Sequence, residues 1–410
     1  MSADIVLIIY LLIILAGFFL DQILDFLNFR YLKKELHPLL HGIYDEEKYK
    51  KQQNYKQDNY RIGLLSSIFS LTIMLVMLLA GGFRWVDNIA FNISNHYIFY
   101  SLIFFGIIGI GMDIISTPFD IYDTFVIEKR YGFNRTTIRT YIFDKIKSWI
   151  IGAIIGGGLL SLIIYIYTLT PEYFWLLAWA VITIFSVFMN MFYSTLIVPL
   201  FNKQKPLEEG NLKNAIMNFA SNAKFKIDNI YVIDGSKRSS KANAYFSGLG
   251  PKKRVVLYDT LIEEMETEEI VAVLAHEIGH YKKKHIISNL IMSVSLTGLS
   301  LFLLGLFLQY DVFALALGVE QASFHAGLIA FGIIFSPLST ITGLLANIIS
   351  RKHEFEADNF AKNNYNANAL ISSLKKLTSH NLGNLTPHPA YVFVHYSHPP
   401  LLERLKNLSY

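Results

Sequence analysis

Long apolar runs alternate with polar stretches along this chain. Seven of them, near 5–27, 63–82, 97–117, 149–168, 174–199, 286–308 and 323–349, match or exceed the roughly 20 residues that an α-helix needs to cross the hydrocarbon layer of a bilayer. The pattern predicts seven membrane-spanning helices. The first run follows Met1-Ser-Ala-Asp4, which lacks the positive n-region of a signal peptide, so a retained span is expected there.

The polar intervals alternate in charge. Arg30, Lys33, Lys34, Lys48, Lys50, Lys51, Lys56 and Arg61 fill the first; the second has only Arg84; the third carries Lys129, Arg130, Arg135, Arg139, Lys145 and Lys147. The fourth has no basic residue, 200–285 is rich in Lys, the interval after the sixth run holds Asp311 and Glu320 without a Lys or Arg, and the chain turns basic again from Arg351. Lys and Arg favour the cytoplasmic side. The expected orientation is therefore N-terminus outside, with the C-terminus and both large polar segments in the cytoplasm. Asp113 and Asn190 are costly against lipid and should face protein or water, although Asp113 at the interface is an equal reading. Gly152, Gly156, Gly157 and Gly158 are expected to let helices approach closely.

Four segments follow: 1–200 with spans one to five, 201–285 as a polar segment of mixed structure, 286–349 with spans six and seven, and a polar 350–410. In the second, a helix is expected near 207–223, then short strands in Ile230-Tyr-Val-Ile233, Ala244-Tyr-Phe246 and Arg254-Val-Val-Leu-Tyr258, two or three in all. A helix from about Glu264 follows, with Val271, Val273, Leu274 and Ile278 on its apolar side. Only Lys282, Lys283 and Lys284 separate it from the sixth span.

Composition sharpens this picture. Hydrophobic residues make up 53% of the 410 and charged residues 17%, which suits a membrane protein. A net charge of +4 with no basic stripe gives no footprint for nucleic acid, so none is expected as a partner. With no cysteine, zinc could be held only by His and carboxylate.

That donor set is present. His276-Glu277-Ile-Gly-His280 is an HExxH motif. Residues four apart share a helix face, so both imidazoles can reach one Zn²⁺, and Glu277 is placed to deprotonate a water activated there. A catalytic zinc needs a third protein ligand and an open fourth position. The best donor lies in His353-Glu354-Phe-Glu356-Ala-Asp358. Glu354 and Asp358 also share a face, so one can bind metal while the other accepts the free ring N–H of a ligand histidine; Glu354 is favoured as ligand, and His353 is its rival. Span six leaves, and span seven regains, the same membrane side between these ligands.

At these residues the chain resembles the CAAX prenyl protease 1 family, seven-span zinc metalloendopeptidases that cleave near the C-terminus of prenylated proteins. Besides the HExxH helix, the resemblance rests on Pro118-Phe-Asp-Ile-Tyr-Asp-Thr-Phe-Val-Ile-Glu128, Tyr131-Gly-Phe-Asn134, Pro199-Leu-Phe-Asn202, Ser240-Lys-Ala-Asn243-Ala-Tyr-Phe246, Ser350-Arg-Lys-His-Glu354-Phe-Glu-Ala-Asp358, and His395-Tyr-Ser-His398-Pro with Arg404. It implies seven helices enclosing a chamber with a small cytoplasmic α+β gluzincin-like catalytic domain, one zinc ion on His276, His280 and Glu354, and Glu277 as base. It further implies that Asn243, Ala244, Tyr245 and Phe246 form an edge strand for the substrate backbone, that Arg404 belongs with substrate binding, and that His398 stabilises the oxyanion; a packing role for His398 is the alternative. His388 and His395 read as structural, and His285 as an interfacial residue. The partners implied are a peptide or protein substrate, prenylated or not at its C-terminus, and the bilayer.

The chain departs from that family's eukaryotic pattern. No charged insertion precedes the zinc helix, Lys241 stands where His is common, and Lys406-Asn-Leu-Ser-Tyr410 is no dilysine retrieval signal. These features favour the bacterial inner membrane over the endoplasmic reticulum. Three other readings compete. A four-span type of quality-control protease has fewer spans, and an intramembrane-cleaving enzyme carries its HExxH inside an apolar span, whereas Glu268, Glu269 and Lys282 bracket this one. A non-catalytic scaffold or transporter with structural zinc would need a fourth protein ligand.

Overall fold

A computed structural model describes residues 1–410 except 33, 228, 248–253 and 410, with the backbone alone at Ser247. Lys33 and Tyr410, used above in reading charge and terminus, lie outside the described residues. Among the described residues seven helices are long and apolar enough to cross a membrane: Ala3–Tyr31, Glu46–Leu79, Tyr97–Glu128, Ile138–Leu169, Phe174–Phe201, His285–Phe307 and Phe324–Asn364. Several run beyond their apolar stretches. The second starts at Glu46 behind the Asp45 cap, which accepts from Lys48 N–H at 2.7 Å. Apolarity stops at the bilayer surface, but backbone hydrogen bonding continues while caps and propensity allow it.

The spans are packed at their ends and apart between them. No residue is buried over 61–77, 105–126, 286–297 or 334–353, whereas helices of a solid bundle bury a face along their length. At one end Val6, Tyr10, Phe83, Phe104 and Leu317 form one apolar cluster, and Ile164, Phe174, Leu301 and Phe324 a second. Within this end His325 is fully buried. Its ring lies 3.0 Å from Ser101 Oγ and 2.8 Å from Asp87 Oδ1, and the Tyr100 hydroxyl also donates to Asp87. At the other end sits the polar domain, and the seven helices enclose a chamber between the two.

This splaying overturns the expectation for the fourth-span glycines. A Cβ at Gly152, Gly156, Gly157 or Gly158 would meet nothing within 4 Å, so they form no helix crossing. The close approach is at Gly298, where a Cβ would lie 3.0 Å from the Trp179 ring; Trp179 donates to Val294 O at 2.8 Å. Asp113 is paired across spans three and four, with Lys145 at 3.1 Å and Trp149 Nε1 at 2.9 Å.

The polar domain contains a four-stranded sheet, one strand more than expected. Its strands are β1 (Gln204–Pro206), β2 (Asn229–Ile233), β3 (Ala244–Ser247) and β4 (Arg254–Tyr258), in the order β1-β2-β4-β3. β2 and β4 are parallel; the other pairs are antiparallel. β1, three residues ending in Pro206, has no alternation by which sequence could reveal it. β3 is an edge, paired on one side only among the described residues.

Behind the sheet lies the HExxH helix, Thr267–Lys282. Its start is fixed by a capping box between Glu266 and Glu269, and Ile270, Val271, Leu274 and Ile278 enter the core. It stops where Lys284 takes a left-handed φ of 60°, one residue before the sixth span begins. Glu269 does more than cap. It accepts from Ser372 Oγ at 2.6 Å and Lys376 Nζ at 2.8 Å, both on the helix Ala367–His380.

Burial would raise the Glu269 pKa, but the bonds from Lys376, Ser372 and the Glu266 N–H outweigh it and hold the carboxyl below its ordinary value near 4.5. A carboxylate depressed by folding contributes stability above its unfolded pKa and loses it as pH falls through the folded value. Glu269→Gln should therefore destabilise by about 1–2 kcal/mol at pH 7. Thermal unfolding in detergent should show that difference fading as pH falls below about 4.5.

Candidate metal centre and substrate cleft

The HExxH helix meets the polar extension of the seventh helix along a seam of small residues. Ala272, Ala275, Ala357 and Ala361 are fully buried. At Gly279 a Cβ would stand 3.1 Å from both Cα and O of Ala357 and 3.0 Å from Phe360 Cβ. The two backbones are thus as close as a residue without a side chain permits, and the closeness brings Glu354 to the two imidazoles.

Nε2 of His276 and Nε2 of His280 face each other at 3.1 Å. Glu354 completes a triangle, its Oε2 3.4 Å from His276 Nε2 and its Oε1 3.3 Å from His280 Nε2. The Oε2 atom is buried without a hydrogen-bond partner. A tetrahedral zinc with ligands at 2.0–2.1 Å would separate its donors by about 3.3–3.4 Å, so the triangle fits an ion of that size. Among the described residues these three form the one group of His and carboxylate donors compact enough to hold a metal. The rival His353 turns elsewhere, stacking on His285 with centroids 4.0 Å apart.

Each imidazole is held from behind. His276 Nδ1 lies 2.9 Å from Asp358 Oδ1. Burial disfavours the charged ring, yet Asp358 and Glu354 outweigh burial and push its pKa up to about 9. Asp358 is gripped in turn by Arg404, through Nε at 2.9 Å and Nη2 at 2.6 Å. Arg404 also reaches Glu354 at 3.6 Å. Arg404, expected with substrate binding, thus has its guanidinium on Asp358 and Glu354.

His280 has a parallel support that the sequence reading missed. His280 Nδ1 lies 3.0 Å from His285 Nδ1, and His285 Nε2 lies 2.9 Å from Glu356 Oε2. Read as interfacial, His285 is in fact buried. Its position just after the helix break could have signalled this, since Lys284 folds it back toward the preceding turn.

The front of the triangle is open. Glu277 is partly exposed and has no hydrogen bond or ion pair among the described residues. His398 puts Nε2 3.3 Å from Glu354 Oε1 with 64% of its side chain exposed. Beside β3 a cleft of about 890 Å³ is lined by Asn190, Tyr193, Asn243, Tyr245, Phe246 and Tyr258. Ala244 has its backbone in the strand but is not among the lining residues.

Comparison with known proteins agrees with this arrangement. Residues 206–410 match the model for peptidase family M48, and 28–203 match that for the CAAX prenyl protease N-terminal region with five membrane helices. The chain belongs to peptidase family M48. It is 33% identical to CAAX prenyl protease 1 of Saccharomyces cerevisiae over 97% of this chain and 95% of that one, and 33% identical to the Homo sapiens CAAX prenyl protease 1 homolog over 91% and 88%. A crystal structure of S. mikatae Ste24p superposes with a TM-score of 0.94 at 32% identity, covering all of both chains. This M48 peptidase is accordingly a multi-pass integral membrane metalloprotease, which removes the scaffold and transporter readings. The relatives compared are eukaryotic, so the expected bacterial inner membrane finds no support among them.

Gly279→Ala tests the seam. With backbone on the far side, the added methyl should push the helices apart by a few tenths of an ångström and widen the donor triangle. The variant should remain folded by circular dichroism yet hold a divalent metal about tenfold less tightly in chelator competition.

Proposed function

We propose that this chain is a zinc endopeptidase that hydrolyses prenylated or other membrane-associated peptides from the cytoplasmic side, where the basic segments place its polar domain. The observation that carries this reading is the donor triangle of His276, His280 and Glu354, sized for one zinc ion and open toward Glu277. Zinc held there would supply a Lewis acid that acidifies water and polarises the scissile carbonyl.

The rest of the chemistry belongs to side chains and backbone. Glu277 takes the proton from the attacking water and delivers it to the leaving amine. His398, exposed beside Glu354, donates a hydrogen bond to the carbonyl oxygen as it gains charge. The free edge of β3, together with Asn243 just before it, receives the substrate backbone along Asn243 through Phe246 as an added strand, and alternate side chains enter the 890 Å³ cleft. Asp358 with Arg404, and His285 with Glu356, hold the imidazoles in one tautomer and orientation.

Glu277→Gln should keep fold and zinc content while lowering hydrolysis of a quenched peptide by about 100-fold or more. Chelation should abolish wild-type activity and zinc should restore it; full activity in Glu277→Gln would remove the base from this mechanism. Substrate class is decided by a panel of matched farnesylated and unmodified peptides. A lipid preference of tenfold or more in kcat/KM supports cleavage of prenylated C-termini, whereas indifference supports general membrane-protein proteolysis.

A further inference from the structure

A second cavity lies away from the metal triangle, between the first two spans and the C-terminal segment. Its volume is about 300 Å³, and its lining includes Asp25, Asn28, Lys56, Asn59, Tyr391 and Tyr396. The volume is at the small end of ligand pockets and suits a peptide of about two or three residues. Two opposite charges line it without meeting. Lys56 has no ion pair among the described residues; its ammonium lies 5.1 Å from the Tyr55 ring centroid. Asp25 likewise has no ion-pair partner within 4.0 Å among the described residues; the Tyr391 hydroxyl hydrogen-bonds it, and it lies in the fields of His395 and Asp21. Both residues are only partly exposed, so each charge has already lost part of its hydration and gains from a ligand of opposite sign. Asn59 adds a buried Oδ1 with no donor, an acceptor free for a peptide N–H.

The walls of this cavity are continuous with the metal centre. Tyr396, which lines it, is two residues from His398, and Arg351 Nη1 binds the Tyr396 carbonyl from the helix that carries Glu354. On the other wall, Tyr55 next to Lys56 accepts from Lys241 Nζ at 3.0 Å, and Lys241 stands two residues before Asn243.

We infer that this cavity holds a short peptide with free termini, Lys56 receiving its α-carboxylate, Asp25 its α-ammonium, and Asn59 Oδ1 a backbone N–H. A lipid phosphate or a lone carboxylate would satisfy Lys56 and leave Asp25 facing added negative charge. A zwitterion satisfies both. The inference rests on the reading of the chain as a peptidase acting near C-termini, since such cleavage releases a peptide of this kind; the pocket is then a holding site for product.

The test is equilibrium dialysis of labelled tri-alanine against the full-length Glu277→Gln protein in nanodiscs, with zinc and after chelation. Tri-alanine should bind saturably in both conditions, and N-acetylation or C-terminal amidation should each weaken it tenfold or more. Lys56→Gln should erase the penalty for amidation while keeping that for acetylation; Asp25→Asn should do the reverse, and Lys56→Arg should behave as the parent. No saturable binding, equal binding of blocked and free peptides, or binding lost on chelation would overturn the assignment. Wild-type hydrolysis is assayed in parallel: its absence sinks the peptidase reading alone, and absent tri-alanine binding beside normal hydrolysis sinks the pocket alone.

Discussion

The contact on which the site depends is the approach of two backbones at Gly279 and Ala357. Donor atoms of three residues, separated by up to nearly 80 positions in sequence, lie 3.1–3.4 Å from their neighbours because the HExxH helix presents no side chain at Gly279 and the Ala357 backbone sits directly against it. Hydrophobic burial alone would not set this distance, since larger apolar residues would bury more area at a wider separation. Here a small-residue seam sacrifices area for proximity, and a metal triangle becomes possible.

Proximity must be matched by orientation, and two hydrogen-bonded chains supply it. Asp358, clamped by Arg404, fixes His276; His285, held by Glu356, fixes His280. Both chains end in charge, so ring rotation would strand a buried polar atom, at a cost of about 1–3 kcal/mol. The left-handed Lys284 has a part in this. By ending the HExxH helix one residue before span six, it lets His285 fold back instead of continuing along the helix.

Much of this was legible in the chain. Length and apolarity revealed seven spans, and a four-residue spacing paired His276 with His280 and Glu354 with Asp358, because helical periodicity is local. What escaped was whatever depends on how elements meet. The fourth-span glycines looked like a crossing because small residues usually mark one, yet these helices splay there. That Arg404 grips Asp358 could not be read from two residues 46 positions apart. His285 seemed merely interfacial because no spacing rule anticipates a residue folded back by a helix break. β1 pairs only through tertiary contact.

The seventh helix carries a mechanical consequence. Its 41 residues run about 60 Å, twice the roughly 30 Å hydrocarbon thickness, so half of it is a lever outside the lipid. Helices tilt to accommodate hydrophobic mismatch, and a tilt of this rod swings Glu354 with it, whereas the HExxH helix is uncoupled from span six at Lys284. Bilayer thickness thereby bears directly on one corner of the metal triangle and reaches the other two only through the packed seam at Gly279.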